Sequence, residues 1–202
     1  MPIEIESGLV SERVLEAYAA VPIRFEVRER LRVGADDAGR ALEDLAVQRV
    51  EPGHVKDYDA SPGAGPMGWP SRFDVARWGL LVARRGRACM GGAVVAYGSG
   101  DVEMLDGRED LGVLWDLRVE PTARGRGVGS RLFRAAEAWA VERGCVELRV
   151  ETQDINVRAC RLYARQGCRL MSVEPGAYAA CPDETRLIWQ KATVRRRVAS
   201  PI

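Results

Sequence analysis

Arg124-Gly125-Arg126-Gly127-Val128-Gly129 sets two guanidinium groups among three glycines, directly ahead of an amphipathic run. Glycine lets a backbone close on an anion without Cβ obstruction, and a helix start leaves unpaired N–H groups at the positive end of its dipole. Arginines add charge-assisted contacts, so the segment reads as a phosphate or diphosphate site. The structural alternative is a tight strand-to-helix turn with solvated arginines. A P-loop would need Gly-Lys-Ser/Thr at the helix start, and Gly129-Ser130 lacks the lysine. A dinucleotide site would place its glycines straight off the strand with an acid about 20 residues later. Glu151 stands at a tolerable distance, but Glu120 to Arg124 intervene, and a hairpin precedes where that fold wants further βαβ units.

Other chemistries are narrowed by what the chain carries. His54 is the single histidine, which removes multi-histidine metal sites and, unless His54 itself serves, Ser-His or Cys-His nucleophilic catalysis. Its polar surroundings, Val50 to Asp59, read as a loop. The five cysteines (89, 145, 160, 168 and 181) form no CxxC pair and read as buried small apolar residues in a reducing compartment.

The elements that position these residues follow from periodicity. Residues 10 to 20 suit a short helix, and Phe25 to Val33 alternates apolar and charged side chains like a half-buried strand. From Glu51 to Arg72 prolines and glycines crowd into a long loop, a lid or a mobile insertion. Trp78 to Arg84 and Ala88 to Tyr97 read as a hairpin around Arg85-Gly86-Arg87. In the next strand, Val113 to Val119, the pleat places Val113, Trp115, Leu117 and Val119 on one face and Leu114, Asp116 and Arg118 on the other. The glycine loop then opens a helix with Leu132, Phe133, Ala136, Trp139 and Ala140 on one stripe, ended by Arg143-Gly144. Val146, Leu148 and Val150 form a strand that must run parallel to the one before the loop. A second helix begins near Asp154 or Asn156, turns Ala159, Leu162 and Tyr163 inward and stops at Gly167. Two strands, about 168 to 173 and 185 to 190, close the pattern, with 192 to 202 as a tail and neither an internal repeat nor a second core.

Length and charge agree with one domain over 1–202. The chain has 202 residues, 47% hydrophobic, with 30 basic and 29 acidic side chains, a composition that lacks the low hydrophobicity and high net charge of disorder. Of the basic residues only Lys56 and Lys191 are lysines, an arginine bias of composition. The net charge of +1 argues against nucleic acid as main partner. No apolar run approaches the ~20 residues that cross a bilayer, and Glu4 and Glu6 stand where a signal peptide needs positive charge. The expected location is cytoplasmic, with no membrane partner.

Two segments carry a family resemblance. Val119 to Gly129 resembles the Arg/Gln-x-x-Gly-x-Gly/Ala signature of the GNAT N-acetyltransferase superfamily, and Asn156 to Cys168 is similar to that superfamily's Asn, small residue, Tyr and Gly block. The match runs over about residues 78 to 191; Cys168 departs from the usual Phe, which touches packing. Within the superfamily, Glu151-Thr152-Gln153-Asp154-Ile155-Asn156-Val157-Arg158-Ala159-Cys160 most resembles the streptothricin-type acetyltransferases. The resemblance implies an α/β (α+β) fold, a mixed, mostly antiparallel sheet flanked by helices with a V-shaped splay between two parallel strands, near 116 and 148. It also implies acetyl-CoA as cofactor and direct transfer in a ternary complex. Backbone groups of Leu117, Arg118 and Val119 would pair with the pantetheine arm, and one N–H would face the acetyl oxygen. Amides of Arg124, Gly125, Arg126, Gly127, Val128, Gly129 and Ser130 would carry the diphosphate. Tyr163 would protonate the departing thiolate, and Asn156 would hold the pantetheine or its water; without the resemblance these two are a packing ring and an N-cap.

Acetyl transfer to an alkylammonium, whose pKa is about 10, calls for a carboxylate to help remove the proton. Asp116 is the first choice and Glu151 the second; either is otherwise a strand-edge charge paired with Arg118 or Arg149. The stretch 101 to 110 carries five acids against Arg108 alone, and would favour a cationic substrate if it borders the cleft. Trp69, Trp78 and Tyr178 suit core packing or loop anchoring, with substrate stacking as the alternative. The expected activity is transfer of an acetyl group to a primary amine of a small molecule, an antibiotic such as streptothricin being one candidate. The rival is an acyl-CoA-binding sensor or interaction module without transfer. A homodimer would form by pairing of the final strands.

Overall fold

The computed structural model describes residues 2–193. Seven strands form one sheet: β1 (Glu4–Leu9), β4 (Gly79–Arg85), β5 (Ala88–Ala96), β6 (Leu111–Val119), β7 (Glu147–Gln153), β8 (Arg169–Pro175) and β9 (Thr185–Ala192), in the order β1-β4-β5-β6-β7-β9-β8. β2 (Phe25–Arg32) and β3 (Ala46–Lys56) make a separate antiparallel pair. Only β6 and β7 run parallel in the large sheet, joined by α2 (Val128–Glu142); α1 (Glu12–Ala19) precedes β2, and α3 (Val157–Arg165) joins β7 to β8. No helix among the described residues is long and apolar enough to cross a membrane.

The apolar residues gather on the two faces of the large sheet rather than in one mass. One face packs under α2 and α3 through Leu132, Phe133, Ala136, Trp139, Ala140, Val157, Cys160 and Tyr163. The whole expected α2 stripe is therefore buried; in α3, Ala159 and Leu162 are half-buried beside the fully inward Val157 and Cys160. The opposite face packs Leu15 and Tyr18 of α1 with Trp69, Trp78, Leu111 and Val113. Gly79 is required beneath α2, because a Cβ there would stand 2.3 Å from the Trp139 ring.

β6 breaks the expected alternation. Val94 faces Asp116 and Val95 faces Leu114, so Trp115 is an extra residue, a β-bulge. Before it, Leu111 and Val113 face α1; after it, Leu117 and Val119 pack on the α2 side, while Asp116 and Arg118 turn toward Tyr18. Val113 and Trp115 thus do not share a face with Leu117 and Val119.

Other boundaries move for local reasons. Glu51 to Lys56 belong to β3, because backbone pairing with β2 continues past Pro52 at a register shift between Val27 and Glu29. His54 accordingly sits in an exposed strand opposite Val27. The rest of the Pro/Gly-rich segment is anchored: Trp69 is 3% exposed, its ring centroid 6.3 Å from Tyr18, and its Nε1 donates to the Ala64 carbonyl at 3.0 Å. Val146 lies outside β7 and is exposed, leaving Leu148 and Val150 inward. Ala192 closes β9, and Thr193 donates its N–H to the Val146 carbonyl at 2.9 Å, so the expected tail lies outside the described residues from 194 onward.

Candidate active site

β6 and β7 pair only from Leu111↔Glu147 to Leu114↔Val150. Leu148 is inside the paired part, opposite Gly112, and the strands part after Leu114 and Val150. The bulge at Trp115 supplies the cause, since it re-aims β6 while β5 continues to hold its other edge. The gap is a cleft of about 1230 Å³ that passes through the sheet. It is lined on the α2 side by Gly125, Ser130, Asn156 and Tyr163, and on the α1 side by Asp59, Trp69, Met104 and Trp115.

On the α2 side the glycine loop fits a diphosphate. Gly125 (φ 74°) and Gly127 (φ 80°) hold left-handed conformations, and Gly127 is the residue from which α2 springs. The first N–H of this segment to reach a backbone carbonyl is Arg131, which donates to Gly127 at 3.1 Å; the amides from Gly125 to Ser130 have no backbone partner among the described residues. Those of Val128 to Ser130 belong to the first turn of α2, at the positive end of its dipole; the exposed Arg158 lines the same cleft, whereas Arg126 is exposed and not among the lining residues. Arg124 is otherwise employed. Its amide bonds to Pro121, and its guanidinium donates to the carbonyls of Val119 (2.9 Å), Arg24 (2.9 Å) and Pro22 (2.8 Å). Burial and the neighbouring Arg158 lower its pKa. Arg124 is thus a staple between the loop and the segment before β2, not a free guanidinium for an anion.

On the α1 side Asp116 is sealed into an ion network. Arg118, with its side chain fully buried, donates to Asp116 from Nε (3.0 Å) and Nη2 (2.7 Å), to Asp59 from Nη1 (2.8 Å) and Nη2 (3.2 Å), and to the Val21 carbonyl from Nη1 (3.2 Å). All five guanidinium N–H groups are used. Tyr18 donates its hydroxyl to Asp116, and burial followed by the Asp116 charge raises the phenol's pKa, so the proton stays on the ring oxygen. The Asp116 side chain is 7% exposed, against 27% for Asp59.

Glu151 is held differently. With Leu148 and Val150 inward under the helices, the pleat turns Arg149, Glu151 and Gln153 to the α1 side. Arg149 is engaged by Asp106 (2.5 Å) and Glu147 (2.6 Å), so it does not pair with Glu151. Glu151 accepts a hydrogen bond from Tyr178 at 2.8 Å and keeps Arg186 at 3.9 Å. Tyr178 in turn accepts from Gln153 at 2.9 Å, Gln153 accepts from Tyr58, and Tyr58 accepts from Asn156 at 3.4 Å. A chain of donors from Asn156 therefore ends on the Glu151 carboxylate. Burial and the Glu151 charge raise the Tyr178 pKa, so this phenol remains a donor. Of the acid-rich stretch only Met104 lines the cleft; Asp106 and Asp110 are paired with Arg149 and Arg108, and Asp101 accepts the Asp74 N–H.

Tyr163 and Asn156 meet in the cleft as expected. The Tyr163 ring is 6% exposed and packs 6.2 Å from Phe133, while its hydroxyl takes part in no hydrogen bond among the described residues and is not enclosed. Burial, then the nearby Tyr58 and Cys160, push its pKa up. Asn156 caps α3, accepting the Ala159 N–H at 3.2 Å, and also lines the cleft. Cys145, Cys160 and Cys168 are buried, and Cys89 and Cys181 half-buried, all as free thiols. Asp59, Tyr58, Tyr18 and Gln153 were not singled out as site residues from the sequence; only Gln153 leaves a signal there, two positions from Glu151 on the same strand face.

Residues 54–168 match the model of the acetyltransferase (GNAT) family. Streptothricin acetyltransferase of Escherichia coli is 28% identical over 90% of this chain and 92% of its own length. Streptothricin acetyltransferase A of Bacillus subtilis is 30% identical over 45% of this chain and 53% of its own. Among solved structures, a putative streptothricin acetyltransferase from Bacillus anthracis in complex with acetyl coenzyme A superposes with a TM-score of 0.72 at 21% identity, over 95% of this chain and 99% of that one. A nourseothricin acetyltransferase superposes at 0.69 with 23% identity and the same coverage. The cleft through the parted parallel strands, with its open amides on one side, fits acetyl-CoA, and the chain belongs to the acetyltransferase (GNAT) family as an acetyl-CoA-dependent N-acetyltransferase.

Proposed function

We propose that the acceptor is a primary amine of a small molecule of the streptothricin type, received on the α1 side of the cleft while the cofactor lies on the α2 side. The observation that carries the reading is the position of Glu151: a half-buried carboxylate where β6 and β7 part, aimed to the α1 side and held by Tyr178. The names of the relatives support the acceptor class.

When bound, acetyl-CoA supplies the acetyl thioester. Amides from Gly125 to Ser130 hold the diphosphate, Asn156 steadies the pantetheine, and the free edge of Leu117, Arg118 and Val119 orients the acetyl group. Glu151, with one oxygen taken by Tyr178, accepts the proton of the incoming ammonium. Tyr163, a phenol protonated at neutral pH, donates from its hydroxyl to the departing sulfur, and burial, which raises its pKa, makes that transfer depend on the thiolate forming in contact with it. Asp116, which also lines the cleft, is not the base in this reading: both directions of Oδ1 and one of Oδ2 go to Tyr18 and Arg118, and the paired guanidinium holds the carboxylate in its ionised form. The five free cysteines support a cytoplasmic location. β8, the outer strand of the sheet, supports pairing of two copies through the final strands.

A free-thiol assay with acetyl-CoA and streptothricin, against aminoglycosides, polyamines, amino acids and a peptide, tests the reading. Streptothricin is expected to be turned over, Glu151→Gln to lower kcat by about 10²- to 10⁴-fold at neutral pH, and Tyr163→Phe to lower kcat without changing acetyl-CoA affinity. No turnover of streptothricin would overturn the acceptor class; a Glu151→Gln variant within threefold of the parent would overturn the base.

A further inference from the structure

Asp59 lines the same cleft with no part in the chemistry above. It sits just past β3, its own N–H bonded to Asp57 Oδ1 at 3.1 Å, and its carboxylate reaches Arg118 with both oxygens. The network Asp59, Arg118 and Asp116 holds two carboxylates against one guanidinium. Asp116 is closed off by Arg118 and Tyr18, so the unbalanced negative charge is expressed at Asp59, the open end of the network. A carboxylate oxygen offers about two acceptor directions, and Arg118 occupies one on each oxygen of Asp59. Arg72, the other cation on this wall, is turned aside: its guanidinium lies 5.1 Å over the Phe73 ring and donates to the Gly63 carbonyl at 3.4 Å.

Resting on the reading that a small amine enters from the α1 side, we infer that Asp59 is a specificity residue that binds a second cationic group of the acceptor, distinct from the amine that meets Glu151. Arg118 holds the carboxylate in place, and Asp116 neutralises Arg118, so the site presents a fixed net charge of −1 with no reorganisation on binding. The enzyme therefore selects acceptors with at least two cations and discriminates against monoamines.

Asp59→Asn keeps size and the acceptor toward Arg118 while removing the charge. Calorimetric titration of parent and variant with 1,5-diaminopentane and with pentylamine gives the affinity ratio of dication to monocation, and steady-state assays with streptothricin give KM and kcat. The parent is expected to prefer the diamine at least tenfold and the variant to lose that preference; KM for streptothricin rises at least tenfold with kcat within threefold, and Asp59→Glu recovers part of the loss. An unchanged diamine preference, or an equal loss for both amines, overturns the assignment. If the parent does not turn over streptothricin, the acceptor class falls, while the diamine ratio still decides Asp59. Acetyl-CoA affinity and melting temperature close to the parent's in Asp59→Asn exclude misfolding, and Asp59→Ser repeats the test if Asn fails to fold.

Discussion

Arg118→Met isolates the role of the buried network. It removes the one cation and leaves Asp116, 7% exposed, with only the Tyr18 hydroxyl as a partner. Removing one member of a buried ion pair costs about 3–5 kcal/mol, because the remaining charge stays desolvated. In a chain of this size each kcal/mol moves the melting temperature by about 2–4 °C, so the variant should melt about 6–20 °C below the parent. Changing Tyr18, Asp116 and Arg118 together to Phe, Leu and Met leaves no buried charge at the centre, and Asp59 can turn to water. All-apolar replacements of such sets are often neutral, so the triple variant should regain at least about 2 kcal/mol over the single one. Urea unfolding of parent, single and triple variants measures both differences. Arg118→Met within about 1 kcal/mol of the parent, or a triple variant less stable than the single, would refute the reasoning. Asp116→Asn adds the functional half: turnover should fall less than tenfold, whereas loss of a general base would cost about 10²-fold or more.

Further expectations concern the glycine loop and the thiols. Gly127→Ala forces a Cβ into the left-handed region at about 1–2 kcal/mol, so the melting temperature should fall by about 2–8 °C and acetyl-CoA should bind at least fivefold more weakly by calorimetry. Burial pushes the Cys145 thiol up to about 11 and the Cys168 thiol up to about 12, from an ordinary value of 9.0. Both stay neutral in the folded chain while the unfolded chain ionises, so their contribution is fully present below pH 9 and is lost as pH rises through 11 and 12; urea midpoints at pH 8 and pH 10.5 should show the decline. At pH 8 a thiol reagent should modify Cys89 and Cys181 in the native protein and all five cysteines in urea.

How much could be read from the chain depends on how local each determinant is. The glycine loop is legible as an anion site because its glycines and arginines stand at a helix start, whereas position alone makes Tyr163 an inward ring and Asn156 an N-cap, and only the family resemblance adds a site role to them. The bulge at Trp115 leaves no mark: Val113, Trp115, Leu117 and Val119 alternate without a break, and the extra residue exists only relative to β5. Arg124 reads as an anion ligand because the carbonyls that capture it, on Pro22 and Arg24, lie a hundred residues away in sequence. Asp59 is hidden in a run whose prolines and glycines announce only turns, and its meaning comes from Arg118, to which no spacing rule connects it. In sequence Asp116 and Glu151 are each a carboxylate on a strand, and the strand position that ranks Asp116 first carries no information on burial or hydrogen-bond partners, which separate them.

The single inserted residue in β6 makes that strand a partition whose two sides can change independently. Positions 116 and 118 face α1 and positions 117 and 119 pack under α2, so a point substitution on one side need not disturb the other. The length of the strand has no such freedom. Deleting one residue at Trp115 would leave Asp116 and Arg118 on the α1 face and Leu117 and Val119 under α2, but it would remove the bulge that turns β6 away from β7 beyond Leu114 and so close the cleft between them. Selection on new substrates in this scaffold should therefore be rich in replacements along β6 and barren of insertions or deletions there.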